Sequence, residues 1–318
     1  MAPVVTVVVP ARNEARHIEA CVRSILSQHV EGGLELLVVD GRSNDETAKR
    51  ARRAGASVLD NPEQTTPAAL NRGLAAARGE VVIRFDAHGE MPDGYIAACV
   101  RALNEEHAAN VGGWIAVAPE GAWGRALAAA LRSRLGVGNS RLWRPPRADA
   151  PREDVDTVSF GCFRTDELRR AGGWANEFHA NQDFELNHRL RRAGGRVVFD
   201  PAISSVYRPR ESLGAIARQY WRYGRWKAVM LAREPTSLRP RQLAPPVLLA
   251  TAAAAVLPSR WSSSARALIA GYGLALGAES ARARAGWRVP VVLTTMHLLW
   301  GAGLLSGFVR PPDRDLAG

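Results

Sequence analysis

Hydrophobic positions along the first 115 residues form short β-branched runs that alternate with stretches of helical spacing. Runs of strand length predict strands, and longer amphipathic stretches predict helices. Asn13 is a candidate N-cap for the first helix. This alternation is typical of an α/β fold in which helices flank a mostly parallel, Rossmann-like sheet. The predicted strands are residues 4–9, 34–40, 56–59 and 80–85, and the predicted helices are residues 15–28, 45 to about 54, and 67–77.

The middle of the chain breaks this alternation. Residues 120–155 carry Trp123, Trp143 and seven arginines among Gly, Pro and Ala, which predicts a mobile insertion or an acceptor-side segment. Regular structure is expected to resume over residues 157–164. Beyond them the pattern predicts helices at 165–171 and 183–193, a strand at 196–200, and a long basic and aromatic helix at 213–233.

Three apolar segments follow residue 240, at 243–258, 267–278 and 289–309. Only the last reaches the roughly 20 residues that a helix needs to span a bilayer. The first segment fits a short span or half of a re-entrant or interfacial hairpin, and buried soluble helices are the alternative. Arg282, Arg284 and Arg288 precede the last segment, which fits a cytoplasmic flank under the positive-inside rule.

Charge narrows the partners only in part. Lys and Arg number 42 against 31 Asp and Glu, a formal charge of +11. An arginine-rich surface suits phosphate-bearing ligands, nucleic acid or an anionic membrane. The chain has neither RNP-like interleaving of aromatic and basic residues nor zinc-finger spacing, so we expect no nucleic-acid partner.

Cysteine usage and the N-terminus bear on the compartment. Cys21, Cys99 and Cys162 lie far apart without a CxxC motif, so we expect buried free thiols in a reducing compartment. The chain enters an apolar run without a basic n-region or a small-residue cleavage site, so no signal peptide is predicted. The N-terminal domain is therefore expected in the cytosol.

Polar residues gather where the predicted strands end. Ligands of such sheets bind at the carboxyl ends of the strands, so these positions predict an active site. The clusters are Arg12-Asn13-Glu14, Asp40-Gly41 and Asp86-Ala87-His88.

Two of these clusters have a chemical interpretation and a plain one. Asp86 could share a divalent cation with a diphosphate, and His88 could add a nitrogen ligand that suits Mn²⁺ better than Mg²⁺. Asp40 could accept a hydrogen bond from a nucleobase, with Gly41 allowing close approach of the backbone. The plain interpretation of Asp86 is a turn cap, and that of Asp40 is an Asx turn at a strand end.

Two later segments also carry candidate chemistry. Asp183 lies near the start of a predicted helix, as a general base or simply an N-cap. Residues 218–227 hold four cations and four aromatic residues, which suit phosphate binding, sugar stacking or a membrane interface. A solvated basic helix face is the alternative. The chain lacks GxGxxG, GxSxG, Walker A and HExxH motifs.

In order along the chain, these segments resemble the family 2 glycosyltransferases, particularly the succinoglycan-biosynthesis-type branch. The resemblance rests on six stretches: residues 7–14 (VVVPARNE), 38–45 (VVDGRSND), 66–71 (TPAALN), 84–88 (RFDAH), 181–187 (NQDFELN) and 219–223 (QYWRY). His88 stands in place of the second acid of the family's DxD motif, and Gln182 in place of the acid before the base. Tyr223 stands where tryptophan is usual in the QxxRW motif.

The resemblance implies a GT-A fold and inverting transfer from a nucleoside-diphosphate sugar, with a divalent metal (Mg²⁺ or Mn²⁺). It makes Asp183 the catalytic base and places Asp86 and His88 at the metal. The implied nucleotide-sugar site comprises Pro10, Arg12, Asn13, Glu14, Asp40, Gly41, Arg72 and Asp86. The implied acceptor and diphosphate contacts are Gln182, Gln219, Arg222, Arg225 and Trp226.

The predicted organisation is a GT-A catalytic domain over residues 1–235 and C-terminal membrane-associated or transmembrane helices over residues 236–318. We expect a cell-membrane protein with its catalytic domain on the cytoplasmic side. The expected acceptor is a lipid-linked saccharide in cell-envelope or exopolysaccharide synthesis. The alternatives are a polyprenyl-phosphate glycosyltransferase and a non-catalytic membrane scaffold that binds nucleotide sugar.

Overall fold

Packing divides the chain into two compact units. The computed structural model describes residues 4–147, 149–258, 260–283 and 286–312. Within these residues the first unit takes 4–116 and 144–207, and the second takes 117–143 and 208–312. The long helix at 213–233 thus packs with the C-terminal helices. The predicted functional boundary at residue 235 stays a prediction, and Arg284 lies outside the described residues.

The strands form one mixed sheet centred on the first unit. Across the described residues the sheet has nine strands, in the order β3-β2-β1-β4-β8-β6-β9-β5, with β7 paired to β9. They are β1 (Val5–Ala11), β2 (Leu34–Asp40), β3 (Ser57–Asp60), β4 (Val81–Arg84), β5 (Gly89–Glu90), β6 (Asn110–Val117), β7 (Glu153–Asp154), β8 (Cys162–Arg164) and β9 (Val197–Tyr207).

The α/β class is confirmed, but the sheet is parallel only over its first four strands. β3, β2, β1 and β4 pair in parallel. β8 pairs antiparallel with both β4 and β6, and β9 pairs antiparallel with β5 and β7. β8 has only three residues, too few to appear in the hydrophobic pattern, and it reverses the strand direction next to β4. The expectation of a mostly parallel sheet therefore holds for one half of it.

Helices cover the sheet in the first unit and make up most of the second. They are α1 (Ile18–Leu26), α2 (Thr47–Arg53), α3 (Thr66–Ala76), α4 (Tyr95–Glu105), α5 (Ala122–Arg132), α6 (Arg134–Val137), α7 (Thr165–Arg170), α8 (Gln182–Arg192), α9 (Leu213–Arg233), α10 (Ala244–Val256), α11 (Ser262–Ala283) and α12 (Arg288–Val309).

The start of α1 corrects one prediction. The helix begins at Ile18, and residue 17 is its N-cap. Asn13 instead has a left-handed backbone (φ 55°), and its Oδ1 accepts from the amide of Asn44. Asn13 therefore ties two loops together and does not cap the helix.

The segment expected to be a mobile insertion contains two helices, α5 and α6. α5 buries one face, including Ala126, Leu127, Ala130 and Leu131, and it packs against α12 within the second unit. These residues recur at helical spacing, so the apolar pattern was present in the sequence. The surrounding arginines and glycines obscured it, and the expectation of a mobile segment was wrong for this stretch.

Helix α12 is the most apolar long element. Among the described residues it is the one helix long and apolar enough to cross a membrane. Its most apolar 18-residue stretch has a mean hydropathy of 1.5, and 39% of that stretch is buried. α11 is longer than the predicted 267–278 because it extends over charged residues at both ends, including Arg266 and Glu279. Length and composition therefore single out α12, as the sequence predicted.

Glycines allow α9 and α12 to approach closely. A Cβ on Gly303 would lie 2.4 Å from the carbonyl oxygen of Trp221, and one on Gly224 would lie 2.1 Å from that of Trp300. Backbone atoms cannot yield as side chains do, so larger residues at these positions must push the helices apart.

Gly303→Ala is expected to lower the free energy of unfolding by about 1–3 kcal/mol, the usual effect of overpacking. Gly271→Ala is the matched control, because no atom lies within 4 Å of a Cβ there. That change should be neutral or stabilising by up to about 1 kcal/mol, since alanine is the better helix former. Thermal unfolding in detergent measures both, and equal melting temperatures for the two variants would contradict the packing.

The three cysteines are free and buried, as predicted. Burial is the main cause that raises the pKa of both Cys21 and Cys162 above the ordinary thiol value. Since the thiolate is the reactive form, Cys21 and Cys162 are core residues and not nucleophiles.

Candidate active site

The loops after β1 and β2 are tied together at the carboxyl edge of the parallel strands. β1 and β2 end opposite each other, with Ala11 paired to Asp40. The amide of Asn13 donates to Ser43 Oγ at 2.9 Å, and the amide of Glu14 donates to Thr47 Oγ1 at 2.7 Å. These bonds fix the two loops against each other, and Arg12 and Asn13 are exposed there.

Asp40 shapes the second of these loops. Its Oδ1 accepts from Ser43 Oγ at 2.6 Å and its Oδ2 accepts from the Ser43 amide at 3.0 Å. Asp40 therefore caps the turn at the strand end by a bond to the backbone three residues on, one residue further than in the expected Asx turn. Gly41 donates its amide to the carbonyl of Ala11 at 2.8 Å. A carboxylate oxygen has two lone pairs, so Asp40 can still accept from a ligand, and its contact with a nucleobase stays a prediction.

Two other residues of the implied nucleotide site have structural partners. Pro10 lies within β1 and pairs in register with Val39, so the strand runs past its predicted end. Arg72 on α3 forms an ion pair with Glu63 at 2.8 Å, and both side chains are about half exposed. Their contact with a donor also stays a prediction.

One arginine joins the two acids that the resemblance singles out. Arg84, the last residue of β4, donates Nη2 to Asp86 Oδ1 at 2.6 Å and Nη1 to Asp183 Oδ2. Its side chain is 7% exposed, whereas those of Asp86 and Asp183 are 24% and 22% exposed. The end of β4 and the first turn of α8 therefore place two accessible carboxylates on one guanidinium.

The second oxygen of Asp183 has a donor of its own. Trp174 Nε1 donates to Asp183 Oδ1 at 3.3 Å, and the tryptophan is buried. Asn71 on α3 holds Trp174 by its backbone: Asn71 Oδ1 accepts from the Trp174 amide at 2.9 Å, and Asn71 Nδ2 donates to the Trp174 carbonyl at 2.7 Å. Three separate segments thus fix the position of one carboxylate.

The surroundings of Asp183 alter its acidity. Burial is the largest cause and raises the pKa of Asp183 above its ordinary value, and the nearby charge of Asp86 raises it further. Arg84 and the Trp174 hydrogen bond act in the opposite direction without cancelling the rise. A raised pKa makes a carboxylate a stronger base, which suits proton abstraction near neutral pH.

His88 follows Asp86 by two residues in the chain, and its side chain lies beside Glu14. Its Nδ1 is 3.0 Å from Glu14 Oε1, with both side chains partly exposed. Its ring centroid lies 6.0 Å from that of Tyr207. The loops after β1 and β4 therefore meet through this pair.

The side chains of Asp86 and His88 fit a cation that is shared with a diphosphate. No group of three or more His, Cys, Asp or Glu side chains that could hold a metal occurs in the described ranges. A protein-only metal site is therefore not built there. Mg²⁺ and similar ions bound with substrate phosphates need only one or two protein ligands, and Asp86 and His88 can supply an oxygen and a nitrogen.

The remaining predicted acceptor residues differ in exposure. Gln182 is the first residue of α8 and is half-buried, as are Gln219 and Arg222 on α9 in the second unit. Arg225 and Trp226 on α9 are buried, and Arg225 Nη2 donates to the carbonyls of Arg310 and Pro311, at 3.0 and 3.1 Å, just beyond α12. Packing within the second unit accounts for this pair directly, and the acceptor role of all five stays a prediction.

The sequence interpretation missed three residues of this site: Arg84, Trp174 and Asn71. An arginine at the end of the otherwise apolar run Val81-Val82-Ile83 was a detectable signal, because a buried charge requires a partner. Trp174 and Asn71 are 103 residues apart in the chain, and no local pattern connects them.

The fold is that of the GT-A glycosyltransferases. The solved structure of the mannosyltransferase PcManGT from Pyrobaculum calidifontis, in complex with GDP-Man and Mn²⁺, matches with a TM-score of 0.65. The match covers 96% of this chain and 87% of that one at 23% identity, so it bears on the fold alone.

Sequence comparison places the chain more narrowly. Residues 6–165 match the model of Glycosyl transferase family 2. The chain is 32% identical over 316 aligned positions to the succinoglycan biosynthesis protein ExoA of Rhizobium meliloti (strain 1021), covering 93% of this chain and 92% of that protein. It is also 24% identical over 243 positions (72% of this chain, 74% of that protein) to the dolichyl N-acetyl-alpha-D-glucosaminyl phosphate 3-beta-D-2,3-diacetamido-2,3-dideoxy-beta-D-glucuronosyltransferase of Methanococcus voltae.

The chain therefore belongs to glycosyl transferase family 2, in its succinoglycan-biosynthesis-type branch, and is an enzyme of that family. The resemblance noted in its motifs is confirmed.

Proposed function

We propose that the protein is an inverting glycosyltransferase that moves a sugar from a nucleoside-diphosphate sugar to a hydroxyl of a lipid-linked saccharide. The observation that carries this proposal is the pair of accessible carboxylates, Asp86 and Asp183, joined by Arg84 beside the loops of the implied nucleotide site. One acid can serve the diphosphate and the other the acceptor hydroxyl. The likeness to ExoA supports a role in cell-envelope or exopolysaccharide synthesis.

In this mechanism Asp183 removes the proton from the acceptor hydroxyl as its oxygen attacks the anomeric carbon. The bond between that carbon and the diphosphate oxygen breaks, and the nucleoside diphosphate leaves with the electron pair from the opposite face. The configuration at the anomeric carbon is therefore inverted. General base catalysis of this kind contributes about 10²–10⁴-fold to the rate.

Asp86 and His88 would hold the divalent cation, whose chemistry is to neutralise charge that develops on the leaving diphosphate. Glu14 keeps His88 in place through its contact with Nδ1. Contact of one ring nitrogen with a carboxylate, while the other nitrogen binds the ion, is the usual arrangement of a metal-bound histidine. The PcManGT complex, which shares the fold, contains Mn²⁺ together with GDP-Man.

The second unit supports a membrane location and a lipid-linked acceptor. Among the described residues, all exposed large hydrophobic side chains except Leu26 lie between residues 238 and 309. Tryptophans paired with arginines lie at helix starts there: Arg260 stacks over Trp261, and Arg288 over Trp287. Such pairs suit the membrane–water interface. We place this unit at the cell membrane with the catalytic domain on the cytoplasmic side.

As the pH is lowered, activity is expected to be lost at a pH above about 4, the ordinary aspartate pKa. Asp183 must be ionised to accept a proton, so activity is present above its pKa and is lost below it. Because that pKa is raised, the loss moves to higher pH. The acid limb of kcat/KM against pH measures it, and an acid limb at or below the ordinary value would contradict the assignment.

A thermal-shift screen of detergent-solubilised protein tests donor binding. UDP-, GDP- and dTDP-sugars are compared with and without Mn²⁺. A donor at 100 times its Kd should stabilise the native state by about 2.7 kcal/mol. Stabilisation by one nucleotide class would support the proposal, whereas no shift with any donor would favour a protein that does not use nucleotide sugars.

Identification of the lipid product separates the remaining alternatives. A product extended by one sugar on a lipid-linked saccharide supports the proposed acceptor. A single sugar attached directly to polyprenyl phosphate would make the protein a polyprenyl-phosphate glycosyltransferase. Donor binding without any product or donor hydrolysis would favour the non-catalytic scaffold.

A further inference from the structure

Arg84 is a buried cation at the end of an apolar strand. All four residues of β4 are buried, and the three before Arg84 are aliphatic. Charged side chains are almost never fully buried without a partner, because desolvation of the charge is expensive. Its partners here are the two carboxylates of the proposed reaction, so its burial is tied directly to the site.

We propose that Arg84 is a positioning residue that acts with Trp174 to hold the carboxylate of Asp183 in place for proton transfer. This inference rests on the proposed function, since it assigns roles around the proposed base. Arg84 donates to Oδ2 and Trp174 donates to Oδ1, so the two oxygens are fixed by different elements. Each oxygen keeps a lone pair with which to accept the hydroxyl proton.

Both donors are themselves held. The guanidinium carbon of Arg84 lies 5.6 Å from the ring centroid of Phe160, within cation–π range, and its Nη2 is bound to Asp86. Phe160 has a left-handed backbone (φ 53°), which residues with a side chain rarely adopt. The local chain thus takes an uncommon conformation where its ring supports the arginine.

Trp174 is fixed from the opposite side. The Asn71 side chain binds both its amide and its carbonyl, and also reaches Asn176 Oδ1 at 2.9 Å. A Cβ on Gly173 would lie 2.4 Å from Asn71 Oδ1, so a glycine is needed for this approach. A base held by locked donors does not need to reorient before reaction, which is the physical benefit of such support.

Arg84→Lys tests the contacts of Arg84 with Asp86 and Asp183 while it keeps the positive charge. An ammonium cannot reproduce the planar fork that reaches two carboxylates. We expect kcat to fall about 100-fold, the effect of misplacing a reacting group by roughly 1 Å, with a much smaller change in donor KM. Arg170→Lys is the matched control, because Arg170 is exposed and pairs only with Asp166 among the ion pairs described. Its kinetics should equal those of the wild type.

Trp174→Phe is the second variant and removes the indole N–H that donates to Asp183, together with the five-membered part of the ring. We expect a loss of about tenfold in kcat, in the range of a lost supporting hydrogen bond, with donor KM unchanged. If Arg84→Lys does not fold, as judged by circular dichroism and the melting temperature, Trp174→Phe alone tests the proposal. Wild-type kcat in the folded variants would overturn the proposal. A raised donor KM with unchanged kcat in Arg84→Lys would also overturn it, since Arg84 would then serve the donor.

Failure of the proposed function is recognised separately. Turnover of the wild type and of Asp183→Asn is measured first, and a wild type inactive with every donor contradicts the function itself. The melting temperatures of Arg84→Lys, Asp183→Asn and the double variant then show whether Arg84 and Asp183 interact. Non-additive shifts support the positioning contact, and additive shifts overturn it.

Discussion

Asp183→Asn is expected to lower kcat by about 10²–10⁴-fold, the contribution of a general base, while donor binding is retained. The amide has nearly the same shape as the carboxylate, and its oxygen can still accept from Trp174, but it cannot take up a proton. Steady-state kinetics measure the loss, and the donor-induced thermal shift measures binding in the same preparation.

Asp166→Asn is the matched control for this change. Asp166 is an exposed aspartate in the first turn of α7, paired with Arg170 at 2.8 Å, and its variant should keep wild-type kinetics. If Asp183→Asn lost donor binding together with turnover, Asp183 would be a structural residue. If it retained wild-type kcat, the base would have to be another group.

Asp86→Asn is expected to remove the effect of the divalent cation on donor binding and to lower kcat/KM by about 100-fold or more. Loss of a metal's charge stabilisation is worth several kcal/mol, and each 1.36 kcal/mol is a factor of ten in rate. The donor thermal shift with and without Mn²⁺ shows the first effect, and initial rates at limiting donor concentration show the second.

Asp93→Asn serves as the control for Asp86, because Asp93 is an exposed aspartate a few residues further along the same loop region. It should respond to Mn²⁺ as the wild type does. An Asp86→Asn protein whose donor binding is still enhanced by Mn²⁺ would show that the cation is held elsewhere.

Much of the first unit could be predicted because its signals are local. The β-branched runs of β1, β2 and β4 and the polar residues at their ends are contiguous in sequence, and parallel strands align those ends. The long helix α9 was predicted with its observed limits, 213–233; Ser212 caps it, and no proline interrupts its 21 residues. The fold class followed from these elements.

The other elements of the fold depend on tertiary contacts between residues that lie far apart in the sequence. β8 is three residues long and enters the sheet between β4 and β6 only through pairing with them. α4 and β6 lie in a stretch of mixed polarity for which no element was predicted, and α5 was obscured by nearby arginines. Elements of this kind are defined by the surface against which they pack.

The candidate site divides in the same way. Asp86 and Asp183 could be singled out by motif, but the guanidinium between them could not, because Arg84 and Asp183 are 99 residues apart. Asp40 was given two interpretations, a nucleobase contact and an Asx turn; the structure contains a turn cap with Ser43, and the nucleobase contact stays a prediction. For Arg225, sequence composition favoured a ligand contact, whereas the structure gives it carbonyl partners beyond α12.

The central claim, inverting glycosyl transfer by a family 2 enzyme, is tested most directly by the stereochemistry of the product. Detergent-solubilised protein is incubated with an α-configured nucleoside-diphosphate sugar that gives a thermal shift, together with a lipid-linked saccharide acceptor. Proton NMR of the released glycan then reports the anomeric configuration of the new linkage. A β-linkage, formed by the wild type and not by Asp183→Asn, is the expected result. An α-linkage, or a rate unaffected by Asp183→Asn, would contradict the account.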